Sequence, residues 1–378
     1  NLTIKSKGAV LFNMESKRPY FDSMPLKISN LIIDPPGENE VLIKIRAAGL
    51  CHSDLSVIDG NRPRPLPMLL GHEASGEIIQ LGKEVNRFEV GDHVVFAFLP
   101  SCGDCQFCKS GRAALCEPGA KANNDGTLIG GNRRIKLNGE YINHHLGVSG
   151  FSEYAVGSVD SIVKIDKDVP FEIAALFGCA VLTGVGSIVN SAKLKFGQTI
   201  LVIGLGGVGL AAILGAKAAG ASKIIAADIN PKKREIAKSF GANYVIDSSD
   251  KNSLNYLKDI TGGGVDISVE FAGAISALEF AFNATKRGGT TVTAALPNPE
   301  ARLKLSPVTL VGQEKTIKGS YLGGCIPSID IPAYIELYKS GRLQVEKLIS
   351  HRIKLSEVNQ AFDRLASGEG IRQIIIFD

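Results

Sequence analysis

The chain has 378 residues, of which 44% are apolar and 21% charged, a composition typical of a folded globular protein rather than a disordered one. At about 150 residues per domain, this length predicts two domains. The 42 basic and 38 acidic side chains leave a net charge of +4, too small an excess to favour a nucleic acid or a membrane surface as partner. Seven cysteines, an odd number, argue against a complete disulfide framework and favour a reducing, cytoplasmic location.

Export and membrane insertion are not expected from the sequence. The first residues have no charged-then-apolar signal pattern. Residues 200–216 carry no charge but contain five glycines, so we interpret them as strand, turn and helix rather than as a membrane span. The sequence therefore predicts a soluble protein.

The first 180 residues are predicted to form short strands joined by irregular loops. Strand-like segments lie at 41–46, 77–79 and 94–96, with turn signals between them. The segment 102–150 is rich in Cys, Gly and Asn and has little periodicity. A loop of that length in a compact domain needs either a function or something that holds it in place.

From about Phe171 onward, apolar strands alternate with helical patterns. This alternation indicates a parallel sheet covered by helices on both faces. The predicted strands are 200–203, 223–227, 244–246, 265–269, 290–293 and, at the end of the chain, 373–377; the predicted helices are 207–220, 231–240, 331–339 and 356–367.

A glycine-rich turn follows the first of these apolar strands. Gly204, Gly206 and Gly209 fit the spacing G-x-G-x-x-G, with Gly207 and Val208 between them, and a helix begins there. Such glycines allow a tight turn and a close approach of the backbone to a pyrophosphate at the helix N-terminus. Asp228 closes the second strand, where a carboxylate would accept hydrogen bonds from ribose hydroxyls and repel a 2′-phosphate. We therefore predict NAD rather than NADP; Lys233 either assists at the ribose or is a solvated helix residue.

Four cysteines lie close together in the irregular segment. Their spacing, C-x2-C-x2-C-x7-C, would allow four thiolates to converge tetrahedrally on Zn²⁺ and so hold the loop. A ferredoxin-type iron–sulfur run would need a shorter last interval and a proline after the last cysteine, where this chain has Glu117. We therefore predict a closed, structural zinc site formed by Cys102, Cys105, Cys108 and Cys116.

Three dispersed residues are candidates for a second metal site. Cys51, His72 and Cys179 each lie near the end of a predicted element. Two thiolates and one imidazole leave the fourth position of a zinc ion free, as in catalytic zinc sites. Taken singly, each residue is better explained as a buried cysteine or a satisfied histidine, and the spacing does not show that the three converge.

The order of these motifs resembles that of the zinc-dependent medium-chain alcohol dehydrogenase family. The resemblance rests on Cys51-His-Ser-Asp54, Gly71-His72-Glu73, the four-cysteine lobe, Cys179, the glycine turn with Asp228, and the terminal Ile371-Arg372-Gln-Ile. It covers essentially the whole chain and is similar to the long, liver-type branch. The resemblance implies an α/β protein with a doubly wound Rossmann domain at 181–323. It also implies a mainly β, GroES-like catalytic domain split between 1–180, with the lobe at about 100–118, and 324–378.

The same resemblance implies roles for individual residues. Cys51, His72 and Cys179 would hold the catalytic zinc, and Asp54 would hydrogen-bond His72 and fix its tautomer. Glu73 would lie behind the metal or be a structural carboxylate, and Ser53 would take the alcohol proton. The residues implied to contact the cofactor, besides the glycine turn and Asp228, are His52, Thr183, Val208 and Arg372. His52 stands where liver-type relatives often have arginine, so the cofactor affinity is expected to depend on pH.

Some positions are open or depart from the family pattern. Ser56 stands where well-known relatives have the histidine that ends the proton relay, so water or a ribose hydroxyl would carry the proton outward. Phe98 and Leu322 are candidates for the alcohol pocket, with Phe98 equally an ordinary core aromatic. His144 and His145 are read as exposed loop histidines, with a substrate gate as the alternative. Cys325 is expected to be packed rather than reactive.

The function predicted from these residues is NAD-dependent, reversible oxidation of a primary alcohol, aryl or medium-chain, to an aldehyde, with two Zn²⁺ per chain. S-(hydroxymethyl)glutathione (formaldehyde) dehydrogenase is the alternative within the family. A zinc-ribbon module for nucleic-acid or protein interaction is the alternative outside the family. A third interpretation is a family member that has lost catalysis and serves structurally. The resemblance also implies a homodimer or homotetramer formed through the sheet edge near residues 290–320.

Overall fold

A computed structural model describes residues 3–378 of the chain. Two compact units can be distinguished. The first unit contains the described residues up to Cys179 together with Ile326–Ala333 and Ile349–Asp378, and the second contains Ala180–Cys325 and Tyr334–Leu348.

The domain limits inferred from the sequence differ from this division by one or two residues at the two junctions, and by a whole segment further along the chain. Tyr334–Leu348 belongs to the second unit, whereas we had assigned all of 324–378 to the first domain. The reason is packing: Tyr334 and Ile335 are buried, and the short helix Val345–Leu348 contacts the helix Gly207–Ala218 of the second unit.

The first unit is built mainly from two β-sheets. The long strand Glu40–Gly49 is central to the larger sheet, because Glu73–Leu81, Tyr154–Ser158 and Arg372–Ile376 all pair with it. In spatial order the strands of the larger sheet are Ile162–Ile165, His93–Phe96, Glu73–Leu81, Glu40–Gly49, Arg372–Ile376 and Ile349–Ile353, with Tyr154–Ser158 alongside Glu40–Gly49. Those of the smaller sheet are Glu140–Tyr141, Ile135–Leu137, Leu26–Ile33, Ile4–Leu11, Met68–Leu69 and Asn143–His144.

Both ends of the chain contribute to the first unit. The last strand, Arg372–Ile376, pairs antiparallel with Ala47, Ala48 and Gly49, so the C-terminal residues complete a sheet built by the N-terminal half. Buried side chains of this sheet, such as Ile43 and Phe96, share one apolar core with Phe362 of the helix Val358–Ala366. Further α-helices of this unit are Tyr20–Ser23, His52–Ile58, Gln106–Lys109, Glu117–Asp125 and Phe171–Phe177.

The second unit contains a six-stranded sheet whose strands all run parallel. Its first strand, Thr199–Ile203, lies inside the sheet, and the chain winds outward from it first to one side and then to the other. In spatial order the strands are Tyr244–Ile246, Lys223–Ala227, Thr199–Ile203, Val265–Glu270, Thr285–Thr293 and Thr316–Gly319. This is the doubly wound arrangement, in which the strand order reverses beside Thr199–Ile203 and a crevice opens at the carboxyl ends of the strands.

Helices connect the strands of the second unit. They are Ala180–Gly186, which continues as a π-helical turn at Ser187–Ser191, then Gly207–Ala218, Pro231–Phe240, Ser253–Thr261, Ile275–Ala284 and Pro307–Gly312. The helix Pro327–Lys339 includes residues of both units. The predicted fold class, a doubly wound α/β domain plus a mainly β domain split over both chain ends, is confirmed.

The segment 102–150 is less irregular than we expected. It contains the helices Gln106–Lys109 and Glu117–Asp125 and three short strands. Each of these elements is too short to show a period in the sequence.

Among residues 3–378, no single helix is long and apolar enough to cross a membrane. Two consecutive helices, Phe171–Phe177 and Ala180–Ser191, reach that length and composition only when they are taken together, and most of their side chains are buried in the protein.

Candidate active site

The first unit brings Cys51, His72 and Cys179 together. Cys51 follows the strand Glu40–Gly49 and caps the helix His52–Ile58, and Cys179 follows the helix Phe171–Phe177. One ligand atom from each of the three side chains lies within 4.8 Å of the others, and all three residues are buried. The sequence could not show this convergence, since the three residues belong to distant segments.

A glycine sets the position of His72. Gly71 has a φ of +95°, and a Cβ at this residue would meet the backbone nitrogen of Phe151 at 2.5 Å. Only glycine combines this backbone conformation with so close an approach of a neighbouring chain. The turn therefore directs His72 into the cluster at the start of the strand Glu73–Leu81.

The geometry of this cluster fits a tetrahedral zinc ion. With Zn–S of about 2.3 Å and Zn–N of about 2.0–2.1 Å, a tetrahedral angle places sulfur and nitrogen about 3.6 Å apart. The observed distance from Cys179 Sγ to His72 Nε2 is 3.4 Å. Both cysteines are free thiols. Two thiols and one imidazole nitrogen are a donor set that zinc prefers, and they leave a fourth position for a non-protein ligand.

The electrostatics of the cluster favour a thiolate at Cys51. The pKa of Cys51 lies well below its usual value, chiefly because of its hydrogen bond with Cys179, with Arg372 and His72 lowering it further against the effect of burial. The same hydrogen bond and burial raise the pKa of Cys179. A buried negative charge is costly unless it is compensated, so this site is suited to a cation.

Arg372 and Glu73 lie beside Cys51. The Arg372 guanidinium, only 2% exposed, donates to the Leu50 carbonyl at 3.1 Å and to Cys51 Sγ at 3.5 Å, and its Nε lies 3.5 Å from Glu73 Oε1. Within the first unit Arg372 therefore supports the metal-ligand cluster, and its contact with a pyrophosphate stays a prediction.

Asp54 forms the hydrogen bond to His72 that we expected. The carboxylate is fully buried and accepts from His72 Nδ1 at 3.0 Å and from the Cys51 backbone nitrogen at 3.1 Å. Because Nδ1 donates to Asp54, Nε2 is left with its lone pair directed toward the thiols. The nearby imidazoles of His72 and His145 lower the pKa of Asp54 although burial alone would raise it.

The interpretation of His144 and His145 as exposed loop residues is wrong. Both are 1% exposed, because His144 lies in a strand that pairs with Met68–Leu69 and is followed directly by His145. His144 Nε2 accepts from the Arg134 backbone nitrogen at 3.0 Å. The His145 ring packs edge-on against His72, with 5.5 Å between ring centroids, and its Nδ1 lies 3.2 Å from Asp54 Oδ1. Sequence reasoning missed this contact, and nothing in the spacing of the residues pointed to it.

Other predicted residues of the first unit lie around this cluster. Phe98, 9% exposed, packs edge-on against His72 at 5.8 Å between centroids. His52 and Ser53 begin the helix after Cys51; His52 is exposed and Ser53 half-buried. Ser56 Oγ donates to the His52 carbonyl at 2.9 Å.

The four cysteines of the lobe also converge. Their sulfur atoms lie within 4.8 Å of one another, and all four are free thiols. Backbone nitrogens donate to the sulfurs: that of Cys105 to Cys102 and that of Cys102 to Cys116 at 3.3 Å each, and that of Gly119 to Cys116 at 3.4 Å. Hydrogen bonds from the backbone of Cys108 and Glu117 are the main reason that the pKa of Cys105 falls to about 6. Four sulfurs arranged in this way fit a closed tetrahedral zinc site.

The second unit contains the predicted glycine turn at the point where the strand order reverses. Gly204 has a φ of +88°, and a Cβ on Gly209 would meet the Gly204 carbonyl oxygen at 1.9 Å, so both positions require glycine. By contrast, a Cβ on Gly206 would meet nothing within 4 Å. The open space at Gly206, at the N-terminus of the helix Gly207–Ala218, fits a bound phosphate.

Asp228 is fixed beside the same turn. Its carboxylate accepts from the Leu205 and Asn230 backbone nitrogens, both at 2.8 Å. Asn230 caps the helix Pro231–Phe240, which carries the half-buried Lys233. Arg234, which the sequence did not single out, donates to the Asp228 carbonyl at 2.8 Å and so secures the end of the strand.

The other residues predicted for the second unit are placed as follows. Thr183 and Val208 are half-buried and lie on neighbouring helices, which approach so closely that a Cβ on Gly184 would meet the Val208 carbonyl oxygen at 2.4 Å. Leu322 is 1% exposed, and its part in an alcohol pocket stays a prediction. Cys325 is fully buried, with its sulfur 3.4 Å from the Leu182 carbonyl.

Two family models match this chain. The model of the alcohol dehydrogenase GroES-like domain matches residues 37–167, and that of the zinc-binding dehydrogenase matches residues 207–340. The chain belongs to the zinc-dependent medium-chain alcohol dehydrogenase family. The family and the enzyme class predicted from the sequence are thus confirmed, and the cysteine lobe is part of a dehydrogenase domain rather than an independent zinc-ribbon module.

Individual relatives are similar over almost the whole chain. The alcohol dehydrogenase class-3 of Drosophila melanogaster is 40% identical over 93% of this chain and 94% of its own length. The S-(hydroxymethyl)glutathione dehydrogenase of Synechocystis is 35% identical over 98% of this chain and all of its own. The crystal structure of benzyl alcohol dehydrogenase from Acinetobacter calcoaceticus superposes with a TM-score of 0.92 and 33% identity over 99% of this chain and 100% of that one.

Proposed function

We propose that this protein is an NAD-dependent zinc alcohol dehydrogenase that transfers a hydride reversibly between a primary alcohol and NAD⁺, giving an aldehyde. The observation that carries this proposal is the convergence of Cys51, His72 and Cys179 in one buried cluster of the first unit. Family membership implies zinc and a nicotinamide cofactor, and this donor set fits a zinc ion with one open position.

Zinc at this site would supply Lewis-acid chemistry, polarising the alcohol oxygen and lowering its pKa. The chain's own residues hold and orient the ion. Cys51, His72 and Cys179 are the ligands, and Asp54 holds the imidazole tautomer that leaves Nε2 free. The Arg372 cation offsets the thiolate charge of Cys51, and the Glu73 carboxylate pairs with the same guanidinium.

The alcohol proton would leave by way of Ser53, which is half-buried and lies two residues after Cys51 in the chain. Ser56 lies one helical turn further on, but its hydroxyl proton is already donated to the His52 carbonyl. Since a serine is also a much weaker base than a histidine, we propose that water or a ribose hydroxyl carries the proton beyond Ser53.

NAD⁺ would bind along the glycine turn of the second unit. The helix N-terminus at Gly206–Gly209 offers backbone donors to the pyrophosphate, and the Asp228 carboxylate offers acceptors to the ribose hydroxyls. The negative charge of Asp228 disfavours a 2′-phosphate, so we propose NAD rather than NADP. The remaining cofactor contacts proposed are those of His52, Thr183, Val208, Lys233 and Arg372.

For the substrate we propose an aryl or medium-chain primary alcohol. Phe98 supports this choice, since its ring packs against the metal ligand His72 and offers an apolar surface there. The structural similarity to a benzyl alcohol dehydrogenase also favours it. The second candidate is S-(hydroxymethyl)glutathione, which the similarity to the Synechocystis enzyme favours.

We further propose two zinc ions per chain and a homodimer or homotetramer. The second zinc would be held by Cys102, Cys105, Cys108 and Cys116, whose role would be structural because four thiolates fill the coordination shell. The strand Thr316–Gly319 forms an edge of the parallel sheet, and Val308 and Val311 nearby in sequence are 79% and 75% exposed. An exposed strand edge with apolar neighbours is suited to pairing with a second copy.

The proposed function is tested by Cys51→Ser, measured against Cys325→Ser as a matched control that removes a buried thiol far along the chain from the cluster. Cys51→Ser is expected to lose one zinc and its turnover while NADH binding survives, and Cys325→Ser to keep both zinc ions and its activity. Unchanged turnover in Cys51→Ser, with that zinc absent, would overturn the proposal. Benzyl alcohol, a medium-chain alkanol, and formaldehyde with and without glutathione as substrates then decide between the two candidates.

A further inference from the structure

Asp54 is a fully buried carboxylate with an unusual set of neighbours. One oxygen, Oδ2, accepts from the Cys51 backbone nitrogen at 3.1 Å. The other, Oδ1, faces two imidazoles: His72 Nδ1 at 3.0 Å and His145 Nδ1 at 3.2 Å. A buried carboxylate is stable only when such groups compensate its charge. The His145 ring therefore affects the carboxylate to which the His72 ring is hydrogen-bonded.

His145 is held firmly by its own surroundings. Its backbone nitrogen donates to Ser149 Oγ at 2.9 Å, and that hydroxyl donates to the Leu69 carbonyl at 2.9 Å. Its carbonyl accepts from the Val148 and Ser149 nitrogens at 3.0 and 3.2 Å. The ring stands edge-on to His72, and both rings are 1% exposed. The backbone that carries this imidazole is therefore held by hydrogen bonds that do not involve Asp54.

His145 Nδ1 lies 3.2 Å from Asp54 Oδ1, while Arg64 and His72 are the other charged or titratable side chains that act on this ring. The contact is longer than that of His72 and does not have the geometry of a hydrogen bond, so this buried nitrogen has no hydrogen-bond partner among residues 3–378. A buried ring nitrogen without another partner is costly, and donating to Asp54 is the arrangement that relieves this cost.

We propose that His145 is a positioning residue for the catalytic metal centre: it holds the Asp54 carboxylate, which in turn orients His72 so that Nε2 points at the ion. This inference rests on the proposed function, because it assigns His145 a role at the same zinc site. Outer partners of zinc-bound histidines commonly change metal affinity or activity by about 10- to 100-fold when they are removed.

A competing arrangement is a separate metal ion bound by Asp54, His72 and His145, whose ligand atoms also lie within 4.8 Å of one another. His72 would then have to bind two ions at once, through Nε2 to one and Nδ1 to the other. Binding two ions would require His72 to be a doubly deprotonated imidazolate anion. A hydrogen bond from Nδ1 to Asp54 requires only the neutral imidazole. The geometry therefore favours positioning over a third metal.

The test compares three variants of the zinc-loaded protein. His145→Phe keeps the ring volume but removes the donor, and His145→Asn returns a donor close to the position of Nδ1. His144→Gln is the matched control, since it replaces the neighbouring buried histidine and keeps an acceptor for the Arg134 nitrogen. The rate at which zinc is lost to a chromogenic chelator and the absorption spectrum after cobalt(II) substitution are measured for each.

We expect His145→Phe to lose one zinc about 10-fold faster or more than the wild type and to show an altered cobalt spectrum. His145→Asn should recover most of the difference, and His144→Gln should match the wild type. A His145→Phe protein with unchanged zinc release and cobalt spectrum would overturn the inference. So would three metal ions per wild-type chain that fall to two in His145→Phe. If the wild type itself holds only the lobe zinc, the proposed function fails first, and that outcome is visible before any variant is made.

Discussion

Gly206 offers a way to remove cofactor binding without disturbing the fold. Its φ of −81° and ψ of −170° are open to alanine, and a Cβ built there meets no atom within 4 Å. Replacing this glycine by alanine reduces the conformational entropy of the unfolded chain, which stabilises the fold, but alanine is a poorer N-cap, which destabilises it. Each effect is about 1 kcal/mol or less. Gly206→Ala is therefore expected to unfold within about 1 kcal/mol of the wild type.

The same methyl group would occupy the space through which a pyrophosphate approaches the backbone. Losing one hydrogen bond to a charged phosphate costs about 1.5–3 kcal/mol. Since 1.4 kcal/mol corresponds to a factor of ten, the dissociation constant for NADH should rise roughly 10- to 100-fold. Fluorescence titration with NADH measures this constant, and thermal unfolding measures stability.

Gly209→Ala is the contrasting variant. Its Cβ would lie 1.9 Å from the Gly204 carbonyl oxygen, and no side-chain rotation can relieve this contact because the backbone fixes both atoms. We expect it to destabilise the fold by about 1–3 kcal/mol or more, as overpacking does. If Gly206→Ala binds NADH as tightly as the wild type, no phosphate approaches this turn, and the proposal that the cofactor pyrophosphate binds there is wrong.

Three further predictions concern the lobe, the choice of cofactor and pH. Cys116→Ser should release one zinc and melt at a lower temperature while still binding NADH, as followed by metal analysis and calorimetry; unchanged metal content would contradict a zinc site in the lobe. Asp228→Asn should raise KM for NAD⁺ and lower the ratio of kcat/KM for NAD⁺ to that for NADP⁺, and an unchanged ratio would show that this carboxylate does not select the cofactor. Burial and the charges of Arg133 and Arg134 lower the pKa of His144 to about 3, below the unfolded value of about 6.5, so the unfolded chain binds the extra proton between these values. The free energy of unfolding should therefore decrease by up to about 1.4 kcal/mol for each pH unit below pH 6.5. Denaturant titrations at several pH values should show a smaller decrease in His144→Gln.

Much of the second unit was predictable from local pattern. The uncharged strand at 200–203 is followed by glycines whose spacing is typical of a tight turn between a strand and a helix. The observed strand is Thr199–Ile203. Strands at 223–227 and 244–246 coincide with the observed Lys223–Ala227 and Tyr244–Ile246. Such strands are buried on both faces, so their composition alone identifies them.

The first unit was harder to predict because its elements are short and its site is assembled across the chain. The seven-residue helix His52–Ile58 is too short to show a clear period, and we did not predict it. Nothing in the neighbourhood of His145 shows that it meets Asp54, since that contact depends on how Asn143–His144 pairs with Met68–Leu69. The burial of Arg372 beside Cys51 likewise follows from the pairing of the last strand with Glu40–Gly49.

The most direct test of the central claim is a crystal structure with anomalous diffraction recorded at the zinc absorption edge. We predict two peaks per chain. One should lie about 2.3 Å from the sulfurs of Cys51 and Cys179 and about 2.1 Å from His72 Nε2, and the other among the four lobe cysteines. A zinc-replete crystal with density only in the lobe, and none between Cys51, His72 and Cys179, would contradict the account.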